Sequence, residues 1–238
     1  MGGGEATVSP AEIAHFDALA ARWWDPNGPM RALHRMNPTR CNWIAQHAAA
    51  RFPQRTGLRL LDVGCGAGIA AEALAQRGFD VLGLDASTEA VAAARAHASG
   101  RKLQPSYRAG APEVLHSEGL RFPIVTALEV IEHVPDPAIF VRILAELLEP
   151  GGLLFLSTLN RTARSFAAAK VGAEYLLRWL PVGTHDWRRF ITPVELGGLV
   201  RAAGLQVLDV AGLTPDPLRG GWHISHNLAV NYLLVAEG

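Results

Sequence analysis

The stretch Glu129-Val-Ile-Glu132-His133 puts two carboxylates and an imidazole side by side in the chain. An imidazole with an ordinary pKa of about 6.5 can take up a proton near neutral pH, and a neighbouring glutamate can orient it as a general base. A second group lies earlier. Asp62-Val-Gly64-Cys65-Gly66-Ala-Gly68 is a carboxylate followed by three glycines at alternate positions, and Asp85 follows the loop by about twenty residues. Glycine turns the backbone sharply and admits a ligand where a Cβ would clash. A carboxylate at the spacing of Asp85 can accept hydrogen bonds from both hydroxyls of a ribose. Arg40 is the third candidate. Asn37-Pro38 reads as the cap and first residue of a helix, which places Arg40 in the first turn, where a cation opposes the helix dipole. Such a charge suits a ligand carboxylate, or else it is simply solvated.

These residues need elements to hold them. Leu58 to Asp62 is a short, mostly apolar run closed by an acid, which reads as a parallel strand covered on both faces. Ile69 to Arg77 has helical composition and a glycine stop at Gly78. Strand, glycine turn and helix make the nucleotide-binding corner of a doubly wound α/β fold. Val81–Leu84 is a second strand, ended by Asp85, and Ser87 caps a helix running through Ala98. A third strand falls near residues 104–108, and a fourth spans Ile124–Leu128. Glu129 to His133 therefore sits at a carboxyl strand end, where open α/β sheets bind ligands. A helix opens at Pro137, and Pro150-Gly-Gly152 turns into a fifth strand, Leu153–Ser157. Thr192-Pro-Val-Glu195 is a capping box. Leu205–Val210 is a sixth strand, Pro215 to His223 a loop, and Asn227–Ala236 a last, antiparallel strand. The expectation is a single α/β domain over residues 10–238, after a disordered lead-in at 1–9. It has N-terminal helices within 10–51 and a mostly parallel, doubly wound, seven-stranded sheet. A helical insertion at 160–186 interrupts the alternation. There Lys170, Glu174 and Arg178 form a narrow charged stripe between two apolar ones, which suits a lid that contacts a hydrophobic partner or bilayer, or a helix buried on two sides. Trp23-Trp24, just before a Pro/Gly break, lines a pocket or belongs to the core.

Composition narrows the classes. The 22 Lys and Arg balance the 22 Asp and Glu, which argues against a nucleic-acid partner held by its polyanionic backbone. Two cysteines, Cys41 and Cys65, make no disulfide framework and suit a reducing, cytoplasmic setting. No run approaches the roughly 18 apolar residues of a membrane span. The N-terminus lacks a signal-peptide core and a myristoylation pattern.

The spacing of the loop separates two cofactors. A dinucleotide site wants G-x-G-x-x-G, but here Ile69 stands where its third glycine belongs. The D-x-G-x-G-x-G form resembles the S-adenosylmethionine loop of class I methyltransferases. The chain as a whole resembles the ubiquinone-biosynthesis O-methyltransferases. The matching segments are E-I-A-H-F-D-A-L-A-A-R-W-W-D from Glu12, L-H-R-M-N-P-T-R from Leu33, the glycine loop, and E-V-I-E-H-V-P-D-P from Glu129. S-T-L-N-R-T from Ser157, V-G-A-E-Y from Val171, G-T-H-D-W from Gly183 and V-N-Y from Val230 continue the match.

The resemblance implies S-adenosylmethionine contacts at Arg40, Gly64, Asp85 and Leu128, with Asp62 and Gly66 in the same loop. It gives Arg40 the methionine carboxylate as partner. Glu129, Glu132 and His133 match a divalent-metal site, magnesium being favoured and zinc possible in view of the mixed ligands. Two departures stand out. Pro123 replaces an acid before the fourth strand, and Gly110 stands where an acid often meets adenine. The implied reaction is O-methylation of a polyprenylated catechol or quinol. A metal on the three residues could stabilise the phenolate, or His133 could act as catalytic general base; the metal is the preferred route. The prenyl tail gives the insertion a membrane-contact role, and the resemblance implies a cytoplasmic protein peripheral on the inner membrane of a bacterium, with a quinone-biosynthesis complex as a further partner. The rival readings are a methyltransferase for a soluble phenol or other small molecule, and a cofactor-binding module without catalysis.

Overall fold

The computed structural model describes residues 7–101, 105–166, 187–216 and 221–238. Five parallel strands start the sheet: β1 (Arg59–Val63), β2 (Asp80–Asp85), β3 (Ser106–Ala109), β4 (Phe122–Leu128) and β5 (Leu148–Leu159). β6 (Gln206–Asp216), β7 (Gly221–Ser225) and β8 (Asn231–Glu237) complete it in the order β3-β2-β1-β4-β5-β8-β6-β7. β8 runs antiparallel between β5 and β6, and β7 runs antiparallel to β6. The sheet thus has eight strands where seven were expected. The extra one, β7, lies in the stretch that reads as a loop. It is only five residues long, and a partner distant in sequence supports it: Thr39 Oγ1 donates to the Trp222 carbonyl at 2.7 Å.

Helices cover both faces. α2 (Arg31–Arg51), α3 (Ile69–Ala75) and α4 (Thr88–Ala98) lie on one, burying Trp43, Ile44, Leu74 and Val91 with Phe155 and Leu60 of the sheet. α5 (Pro112–Ser117), α6 (Pro137–Glu146), the one-turn α7 (Ala163–Ser165) and α8 (Pro193–Ala202) follow. Leu115, Phe140, Leu144 and Leu196 from α5, α6 and α8 pack on Leu61, Val125 and Tyr232. β4 is buried at every position, as its unbroken apolar run requires. Ser87, Asp136 and Thr192 cap α4, α6 and α8 through their side chains, satisfying N–H groups that a helix start leaves orphaned.

α1 (Pro10–Asp17) and a 3₁₀ turn (Ala20–Arg22) lie before α2. α2 begins at Arg31, so Pro38 is inside it and Asn37 is no cap. The Asn37 amide instead donates 2.8 Å to the Ile69 carbonyl. Tertiary anchoring outweighs the helix-breaking tendency of an interior proline. The dipole argument for Arg40 falls with the cap, because Arg40 lies in the helix interior. Thr7 packs against α5, its Oγ1 2.7 Å and 2.8 Å from the two Glu113 carboxylate oxygens. Residues 1–6 of the expected lead-in, and 167–186 of the expected insertion, lie outside the described residues. No described helix is long and apolar enough to cross a membrane.

Candidate active site

The carboxyl ends of β1, β2 and β4, roofed by α1 and the turn after it, enclose a cavity of about 230 Å³. Arg40, Asp62, Gly64, Gly66, Asp85 and Leu128 all line it, together with Glu129, His133, Glu12, Phe16 and Trp23. The glycine loop leaves β1 with Gly66 at φ +53°, a conformation that side chains resist. A Cβ there would lie 2.2 Å from Trp23 Cζ2. Trp23 is therefore a pocket residue. Trp24 points away, stacking on His97 with ring centroids 3.4 Å apart while its Nε1 donates to the Ala67 carbonyl.

The N–H groups of Gly66 and Ser87 donate to opposite oxygens of Asp85, at 2.7 and 2.8 Å. Burial pushes the Asp85 carboxyl up, and these two donors oppose it. A carboxylate has about four lone-pair sites, so Asp85 keeps capacity for a ligand. Asp62 accepts from Thr126 Oγ1 at 2.7 Å through Oδ1, while its buried Oδ2 has no hydrogen-bond partner among the described residues. Burial pushes it up to about 6, opposed by the Thr126 hydrogen bond and the Arg40 charge. Arg40 is 3% exposed. Its Nε donates to Asn37 Oδ1 at 3.0 Å, and its buried Nη1 has no hydrogen-bond partner among the described residues. A guanidinium out of water with an idle donor is costly unless a ligand completes it.

His133 ends a 3₁₀ turn, Ile131–His133, just beyond β4. Its Nδ1 lies 3.0 Å from Oε2 of Glu12 on α1, and Phe16 meets its ring edge-on at 5.2 Å between centroids. Arg189 reaches the other oxygen of Glu12 at 3.3 Å. Burial disfavours the His133 imidazolium, but the Glu12 hydrogen bond and the charges of Glu132, Glu12 and Glu129 outweigh it, and the pKa is raised.

The expected metal set is not assembled. Among the described residues no three His, Cys, Asp or Glu side chains could hold an ion together. Glu129 Oε1 is taken up by Ser157 Oγ at 2.8 Å and Asn231 Nδ2 at 3.1 Å. Glu132 is buried, accepts from Thr158 Oγ1 at 2.8 Å, and borders a separate groove with Ile131, Arg161 and Phe190. Burial and the Glu129 charge push Glu132 up to about 7. Successive residues of a 3₁₀ turn project about 120° apart, so Glu132 and His133, neighbours in sequence, face different spaces. Glu12, by contrast, is a site residue that the motifs do not single out. An acid in a first helical turn reads as a dipole partner, and nothing local shows that it meets a residue 121 positions away. Gly110, Ala111 and Pro112 border the cavity where an adenine acid was expected to be missing.

Comparisons with known proteins bear on the fold and the family. Residues 32–210 match the family model described as a methyltransferase domain. Among solved structures, a possible histamine N-methyltransferase from Thermotoga maritima is 17% identical with a TM-score of 0.63, covering 95% of this chain and 98% of that one. The magnesium protoporphyrin IX methyltransferase of Synechocystis, with bound S-adenosylhomocysteine, is 21% identical with a TM-score of 0.59, covering 83% and 80%. Fold and matched domain thus define a class I S-adenosylmethionine-dependent methyltransferase. The ubiquinone biosynthesis O-methyltransferase of Methylobacterium nodulans is 48% identical, over 97% of this chain and 96% of that protein. That of Azorhizobium caulinodans is 46% identical, over 98% and 94%. This chain belongs to the ubiquinone biosynthesis O-methyltransferase family.

Proposed function

We propose that this protein methylates a phenolic oxygen of a prenylated catechol or quinol with S-adenosylmethionine, in ubiquinone biosynthesis. The observation that carries the reading is one cavity lined both by a buried, incompletely paired Arg40 beside the glycine loop and by a His133 oriented through Glu12. Bound S-adenosylmethionine supplies an electrophilic sulfonium methyl group. Arg40 Nη1 pairs with its carboxylate, Asp85 takes the ribose hydroxyls, and Gly64, Gly66 and Leu128 allow close approach. Asp62 adds negative charge near the loop.

His133 acts as general base. With Nδ1 donating to Glu12, the ring presents Nε2 as the free acceptor. A phenol of pKa about 10 and an imidazole of about 6.5 differ by roughly 3.5 units, or about 5 kcal/mol. Glu12 narrows that gap by stabilising the imidazolium as it forms. Holding the phenol oxygen in line with the methyl carbon accounts for much of the remaining rate.

The insertion at 160–186 provides peripheral contact with the cytoplasmic face of the inner membrane and passes the tail to the site. The two apolar stripes in its sequence support this. Release of S-adenosylhomocysteine, assayed on prenylated catechols with and without chelator, tests the reading. Turnover that survives exhaustive chelation is expected. Turnover abolished by chelation and restored by magnesium overturns the general-base route in favour of a metal-bound phenolate. Turnover confined to soluble phenols overturns the substrate.

A further inference from the structure

The cofactor's own chemistry points to one end of the cavity that no residue has yet been assigned to hold. Ribose stands between methionine and adenine, so a carboxylate on Arg40 and hydroxyls on Asp85 direct the base to the wall beyond β2. That wall is Gly110-Ala-Pro112, tied to the strand end by the Gly110 N–H, which donates to the Asp85 carbonyl at 2.9 Å. It carries no acid to meet the exocyclic amine, and a Cβ added at Gly110 would meet nothing within 4 Å. An uncharged purine without a charged partner is held chiefly by taking its faces out of water.

Thr7, Val8 and Ser9 line the same cavity, and two ties hold the segment that carries them. Thr7 is 5% exposed. Its backbone N–H donates to Glu113 Oε1 at 3.0 Å, and its Oγ1 lies 2.8 and 2.7 Å from the two oxygens of that carboxylate. Glu113 stands in the first turn of α5, one residue past the wall. Further along, Ser87 Oγ donates to Asp17 at the end of α1, and the Ser87 N–H is one of the two donors on Asp85. The segment is thus fastened at two places that border the cofactor wall, the first turn of α5 and the cap of α4. We propose that residues 7–9 form a strap that closes over the adenine of S-adenosylmethionine, latched by Thr7 on Glu113, and that the strap does the work of the missing acid. This rests on the cofactor placement argued above. Thr7 and Glu113 are positioning residues: they act by holding the strap shut, not on the reacting atoms. A base enclosed in this way leaves only after the latch opens, so losing the latch speeds dissociation.

The test compares two ligands by calorimetric titration and stopped-flow dissociation. One is S-adenosylhomocysteine; the other is S-ribosylhomocysteine, which keeps the carboxylate, sulfur and ribose but has no adenine. Thr7→Val and Glu113→Ala should each weaken S-adenosylhomocysteine about 10-fold, the worth of one charge-assisted hydrogen bond, mainly through faster dissociation. Glu113→Gln, which still offers Thr7 an oxygen, should recover part of the loss. The double variant Thr7→Val/Glu113→Ala should be no weaker than the worse single one, because the two residues act as one latch. S-ribosylhomocysteine should bind all of these variants within about threefold of wild type, reporting an intact fold and carboxylate site. Arg40→Met, by contrast, should weaken both ligands alike. Equal weakening of the two ligands by the latch variants overturns the inference and makes Thr7 and Glu113 supports of the fold. No change in either ligand overturns it as well. Arg40→Met that spares both ligands overturns the cofactor placement itself, and this inference with it.

Discussion

Arg40 gives the sharpest test of how the cofactor is held. Its side chain is nearly inaccessible to water, one nitrogen is spent on Asn37, and Nη1 has no hydrogen-bond partner among the described residues. If that nitrogen meets the methionine carboxylate, Arg40→Met removes a charge-assisted hydrogen bond in a buried setting, about 1.5–3 kcal/mol. At about 1.4 kcal/mol per decade, affinity should fall roughly 10- to 150-fold. Calorimetric titration with S-adenosylhomocysteine measures this. 5′-Methylthioadenosine, which keeps adenine, ribose and sulfur but has no carboxylate, is the control. Its affinity should change less than about threefold, so the difference isolates the carboxylate contact as a double-mutant cycle would. Arg40→Lys should fall between, since a point charge replaces the planar fork. Equal loss for both ligands would refute the reasoning and make Arg40 a packing residue of α2.

Four further outcomes are expected. His133 must be neutral to accept a proton, so kcat/KM rises with pH through its pKa. Glu12 holds that pKa up, so Glu12→Gln should shift the rising limb to lower pH, and a limb that stays put counts against the pairing. His133→Ala should lower kcat by about 10²–10⁴ while S-adenosylhomocysteine still binds; a smaller loss argues against a base at this position. Gly66→Ala forces a Cβ to within 2.2 Å of the Trp23 ring in left-handed backbone. The conformation alone costs about 1–2 kcal/mol, roughly 2–8 °C in Tm for a chain of this size, and cofactor affinity should drop sharply, with Trp23→Ala recovering part of both. Deletion of residues 167–186 should abolish co-sedimentation with anionic liposomes; undiminished binding would place the membrane contact elsewhere.

Local patterns made much of the fold legible. Apolar runs ending in Asp62, Asp85 and Leu128 became β1, β2 and β4, because strands buried on both faces need continuous apolar sequence. The caps at Ser87 and Thr192 formed as read, because a cap is satisfied within its own first turn. Asn37-Pro38 misled for the opposite reason: the Asn37 amide is claimed by Ile69, across the helix interface. β7 escaped notice because it is only five residues long and its support comes from β6 and α2.

The same division runs through the site. Sequence by itself determined the cofactor class, since the glycine spacing decides what the turn after β1 can admit, and it placed Arg40, Asp85 and His133 among the chemically capable residues. Only the tertiary structure decided which of them act together. It brought Glu12 from α1 onto His133, turned Glu132 into a different groove, and tied Glu129 to Ser157 and Asn231. Neighbours along a chain share a site only when the local backbone points them the same way, and between Glu132 and His133 the 3₁₀ turn sends them apart.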